Sequence, residues 1–120
     1  MIRLAIIVAA VGMLCMPAVA SAHAMLERPN PLVGATVHAA PASISLRFSE
    51  AVEPALSTIA LMRSDGAVVA LTAPAGSEHN RVLTAAVRGV VAPGVYRVHW
   101  RVVSVDTHVT QGDFSFRLAP

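Results

Sequence analysis

Gly94-Val95-Tyr96-Arg97-Val98-His99-Trp100-Arg101-Val102-Val103 decides the fold class. Tyr96, Val98, Trp100 and Val102 alternate with Arg97, His99 and Arg101. A period of two puts the first set on one face of a strand and the second on the other. Pro93-Gly94 marks the turn that introduces it. Downstream, Phe114, Phe116 and Leu118 alternate in the same way with Asp113, Ser115 and Arg117. Upstream, Ile44, Leu46 and Phe48 alternate with Ser43, Ser45, Arg47 and Ser49. Ser57 to Met62 and Ala67 to Leu71 flank the turn Ser64-Asp65-Gly66 and read as a hairpin. Arg81 to Val87 is a weaker strand candidate, and nothing after residue 22 shows helical periodicity with caps. Short strands separated by Gly and Pro turns predict an all-β fold, a small antiparallel sandwich or barrel. Trp100, Phe48, Phe114 and Phe116 are expected to dominate its core, because aromatics bury the most area per residue.

The first 22 residues read differently. Met1 to Arg3 carries one positive charge, Leu4 to Leu14 is uncharged and apolar, Pro17 interrupts the residues after that run, and Ala20-Ser21-Ala22 is an A-x-A site. That order is a secretory signal peptide, cleaved after Ala22 to leave a domain over 23–120. The uncharged stretch is near the length of a membrane span, but the cleavage site and Pro17 favour removal. Ala18-Val19-Ala20 offers a second A-x-A site. The one cysteine, Cys15, lies in the leader behind Leu14, where a lipoprotein site wants a small residue. The exported domain therefore has neither thiol nor disulfide and rests on its core alone, a marginal situation at this size. The mean hydropathy of +0.63 is inflated by the leader. All nine basic residues are arginine, and without Arg3 eight face seven acids, for a net charge of +1. No basic patch points to nucleic acid.

His23 is the informative residue. Cleavage after Ala22 would free its α-amine, whose reference pKa of ~8 lets a metal displace the proton near neutral pH. Amine and imidazole of one residue can then grip a metal as a chelate, and two nitrogens suit Cu(II), which favours tetragonal N and O ligands. Asp106 and His108 follow the Tyr96 to Val103 strand, and two-residue spacing in extended chain points both to one side. With His23 they would supply three nitrogens and one oxygen, a set that suits Cu(II) better than Cu(I). Asp-x-His by itself is a weak motif, and exposed His and Asp usually mark solvated loops. His38 lies in a loop, and His99 stands among arginines that would disfavour a metal, so both read as solvent-facing. Arg101 is a structural candidate for pairing with an acid.

From His23-Ala24-Met25-Leu26, Pro29, Gly34-Ala35 and Leu46-Arg47-Phe48-Ser49-Glu50 onward, the chain resembles CopC-type periplasmic copper-resistance proteins. The closest part of the resemblance runs from Gly94 through Trp100-Arg101 to Ser104-Val105-Asp106-Thr107-His108, then Gly112-Asp113-Phe114-Ser115-Phe116. It covers essentially all of 23–120. The resemblance implies an Ig-like Greek-key β-sandwich. It also implies one Cu(II) ion held by the amine and imidazole of His23 with Asp106 and His108, and Glu50 close behind these ligands. Some family members carry a Met-rich loop with a His that binds Cu(I). Here only Met25 and Met62 follow the leader, and between Leu71 and Val91 His79 has no methionine beside it. The resemblance thus implies a member with the Cu(II) site only.

The function expected is a periplasmic copper carrier or buffer, monomeric, acting in copper resistance or homeostasis and passing the ion to an inner-membrane transporter of the CopD type or to another copper protein. A copper-dependent oxidative enzyme is the alternative, since lytic polysaccharide monooxygenases also chelate copper through an N-terminal His. Those enzymes use a second His and keep a position open for oxygen. Here Asp106 would add a hard oxygen ligand that favours Cu(II), and few aromatics are available to stack on sugars. No Gly-flanked Ser nucleophile occurs either, so an enzyme is not expected. A metal-free β-sandwich interaction module is the third reading.

Overall fold

In the computed structural model, residues 23–120 and Gly12 are described. The leader expected over 1–22, with its cleavage site, falls outside them apart from Gly12. Nine strands follow one another: β1 (Leu26–Asn30), β2 (Thr36–Val37), β3 (Ser43–Phe48), β4 (Thr58–Arg63), β5 (Val68–Val69), β6 (Ala75–Ser77), β7 (Val82–Ala86), β8 (Gly94–Val103) and β9 (Val109–Leu118). One 3-10 turn, Pro54–Leu56, precedes β4. The strands form two sheets, β1-β3-β7-β6 and β2-β9-β8-β4-β5. Every pairing is antiparallel except β2 with β9. The neighbours β3/β7 and β4/β8 are distant in sequence, which makes the fold a Greek-key sandwich rather than a meander.

The alternation read in the sequence positions β8 and β9. Tyr96, Val98, Trp100 and Val102 are buried while Arg97 and Arg101 face solvent. β8 pairs with β9 from Gly94↔Leu118 to Val103↔Val109, so the ten-residue ribbon is closed by the Ser104–His108 loop. Ile44, Leu46 and Phe48 of β3 enter the core from the other sheet. Phe48 meets Trp100 edge to face at 5.3 Å, and Tyr96 stacks on Phe116 at 5.6 Å. The Tyr96 hydroxyl donates to the Ala92 carbonyl, giving this buried ring the polar partner it needs. Opposite Trp100 in the ladder, a Cβ on Gly112 would stand 2.7 Å from the indole ring. The ring can lie on the strand only because that position is glycine.

The hairpin across Ser64-Asp65-Gly66 is present as β4–β5, though β5 is two residues long rather than the five read from Ala67 to Leu71. β1, β2 and β6 were not legible as strands. They are short or polar, and their burial patterns show little alternation. They exist because β3, β9 and β7 offer them backbone partners. Glu78, His79 and Asn80 link β6 to β7 with φ of 49°, 56° and 60°, a left-handed run that L-residues adopt at a cost.

Candidate metal centre

The centre sits where the Ser104–His108 loop meets the start of the described domain. The loop closes on itself: the Ser104 N–H donates to the His108 carbonyl at 2.8 Å, and the Thr107 N–H donates to the Ser104 carbonyl at 2.9 Å. Thr107 takes a φ of 73°, so Asp106 and His108 lie on a turn rather than on the extended continuation of β8. The turn still brings them together, with Asp106 Oδ2 3.2 Å from His108 Nδ1. The other carboxylate oxygen, Oδ1, accepts from the hydroxyl of Ser104, whose side chain is fully buried. The Ser104 hydroxyl holds the Asp106 carboxyl below its ordinary range; desolvation opposes this and His108 adds to it. Asp106 is therefore an anion wherever an imidazole is neutral.

The other half of the centre comes from the chain just before β1. Ala24 is buried, and its carbonyl accepts from Thr110 Oγ1 at 2.8 Å. The Met25 N–H donates to Ser49 Oγ at 2.8 Å, and the Ser49 N–H returns a bond of 2.8 Å to the Met25 carbonyl. His23, one residue earlier, is exposed and meets His108 edge to face, with ring centroids 4.8 Å apart. The expected ligands thus come together pairwise, His23 with His108 and His108 with Asp106. Among the described residues no three His, Cys, Asp or Glu side chains are close enough to enclose a metal. In this chain the His23 nitrogen is a peptide amide to Ala22, so the amine donor exists only after that bond is cut.

Glu50 is half-buried and has no hydrogen-bond or ion-pair partner among the described residues. Its neighbours put it at the same end of the sandwich: Ser49 holds Met25, and the Ala51 carbonyl accepts from the Val105 N–H at 3.2 Å. His38 and His79 are exposed. His99 Nδ1 is 2.8 Å from Asp113 Oδ1, which also stands 3.9 Å from Arg97 Nε. Arg101 is exposed and has no acidic partner among the described residues.

Ser49, Ser104 and Thr110 were missed as parts of this centre. For two of them a signal existed. Ser104 continues the inward series Tyr96, Val98, Trp100, Val102, and Thr110 precedes the inward series Gly112, Phe114, Phe116, Leu118. A hydroxyl on an inward position must find a partner. Ser49 follows directly on β3, in phase with the outward Ser43, Ser45 and Arg47, where no such signal arises.

Two imidazoles and one carboxylate are N and O donors suited to borderline divalent transition metals rather than to Ca2+ or Mg2+. Residues 26–119 match the CopC domain model. Protein YobA of Escherichia coli K12 is 36% identical over 96 residues, covering 79% of this chain and 77% of that protein. Copper resistance protein C of Pseudomonas syringae pv. tomato is 37% identical over 123 residues, covering 91% of this chain and 90% of its own. The crystal structure of CopC from Methylosinus trichosporium OB3b superposes with a TM-score of 0.76 at 34% identity, over 82% of this chain and 95% of that one. With the sandwich, the Asp106–His108 turn and the His23 approach in place, these matches make the chain a member of the CopC domain family.

Proposed function

We propose that this protein is exported to the periplasm, loses its leader after Ala22, and there binds one Cu(II) ion through His23, Asp106 and His108. It acts in copper resistance or homeostasis as a monomeric carrier or buffer. One observation carries the reading: the first residue of the exported domain stands ring to ring with His108, 4.8 Å away, beside Asp106. Relatives named copper resistance protein C supply the metal, and the donor chemistry agrees. The two imidazoles and the amine suit Cu(II), and the Asp106 carboxylate adds charge that favours it over Cu(I). No methionine lies between Leu71 and Val91 to build a thioether site.

His23 and His108 are exposed, so a competing ligand can approach the bound ion from solvent. That access suits hand-off to a membrane transporter of the CopD type or to another copper protein. Catalysis is not part of the reading: Asp106, beside His108, would add a hard oxygen ligand that favours Cu(II) over the reduced state. Cu(II) titration of the processed protein tests it. One equivalent is expected to bind tightly and to be lost in His108→Ala. Equal binding by wild type and His108→Ala would remove His108 from the site.

A further inference from the structure

The geometry points to Ser49, Ser104 and Thr110 as positioning residues that assemble the copper ligands before the metal arrives. The inference rests on the copper-binding reading above and concerns groups that would not touch the metal. Chain ends fray unless tied down, yet Ala24 is 1% exposed and fixed by Thr110, while Met25 is fixed on both backbone sides by Ser49. These bonds to the backbone of Ala24 and Met25 bring the first residue of the domain to His108. Ser104 acts on the opposite half. Its hydroxyl engages Asp106 Oδ1 and leaves Oδ2 as the oxygen on the His108 side, so Asp106 would ligate through one atom. The two ends of the loop are tied separately, by the Ser104 N–H donating to the His108 carbonyl at 2.8 Å.

Ser104, one residue beyond β8, and Thr110, in β9, both fall on the inward side, where an apolar residue would add to the core. Each hydroxyl is committed instead to the segments that carry ligands. Groups that orient ligands in this way are typically worth roughly 10–100-fold in metal affinity.

The test uses protein exported with its own leader, with the N-terminal residue checked by mass spectrometry. Ser104→Ala and Thr110→Val are compared with wild type by competitive Cu(II) titration, by the Cu(II) electron paramagnetic resonance spectrum and by thermal unfolding without metal. Thr110→Ser serves as the rescue. Both variants are expected to stay folded, to lose roughly 10–100-fold in affinity and to change the copper spectrum, with Thr110→Ser close to wild type. Wild-type affinity and spectrum in both variants would overturn the inference while leaving the copper site intact. So would weakening in Thr110→Val that Thr110→Ser shares. Failure of the wild-type protein to bind Cu(II) tightly would overturn the copper reading itself, and the inference with it.

Discussion

The His23 and His108 rings meet edge to face, centroids 4.8 Å apart and planes at 76°, although they come from opposite ends of the domain. The contact is held from both sides through bonds to backbone carbonyls. Thr110 fixes Ala24, next to His23, and the Ser104 N–H fixes the His108 carbonyl. An imidazole binds a metal only through a nitrogen that carries no proton. Ser104 lowers the Asp106 carboxyl below its ordinary range, so it keeps its charge to lower pH than an unpaired carboxylate does. Copper is therefore expected to be released on acidification, as protons compete with the metal for its nitrogen donors. A Cu(II) titration repeated at falling pH checks this. Affinity unchanged from pH 7 to 4 would point to ligands other than the imidazoles.

Asp65 sits at the β4–β5 turn, where the hydrogen bond from Arg63 first, and then the Ala67 N–H, lower its carboxyl to about 2. Because the folded value lies below the unfolded one, the stabilisation is fully present above about pH 4. It fades as pH falls through about 2. Asp65→Asn should melt lower than wild type at pH 7, with the gap closing on acidification. The effect is small because the pair is exposed. Melting curves from pH 7 to 2 give the answer, and a constant gap would contradict it.

Gly112→Ala is expected to cost about 1–3 kcal/mol, since the new methyl must displace the Trp100 ring or the β9 backbone. Urea unfolding followed by Trp100 fluorescence measures this. A neutral result would mean that the indole has room to move.

His79→Gly should stabilise the protein by about 1 kcal/mol, because glycine takes the left-handed conformation of position 79 without the Cβ penalty. Copper affinity should not change, because the turn belongs to the β6–β7 hairpin rather than to the Ser104–His108 loop. Loss of copper affinity in His79→Gly would bring His79 into the metal site.

The strands legible in the sequence are those that carry the core. β3, β8 and β9 announce themselves because one face of each is buried, so residues such as Leu46, Trp100 and Phe116 must alternate with polar ones. β2 and β6 have no buried residue, and their backbone pairing leaves no trace in side-chain type. At the candidate centre, the residue types of His23, Asp106 and His108 were legible. The Asp106–His108 contact was expected from extended chain, yet it is made by a turn with Thr107 in the left-handed region. That geometry comes from the bonds Ser104 makes within the loop, which spacing does not encode. Glu50 was placed near the centre by resemblance. Its backbone neighbours lie there, but its side chain makes no hydrogen bond or ion pair with any of the three expected ligands.

The measurement that bears most directly on the central claim is a competitive Cu(II) titration of protein beginning at His23, run beside a version with one additional Ala before it. The extra residue leaves both imidazoles and Asp106 in place but turns the His23 amine into an amide. Tight one-to-one binding by the first version, weakened by orders of magnitude in the second, is the expected result. Equal binding by both, or binding by neither, would contradict an N-terminal copper chelate and leave a sandwich that serves as an interaction module.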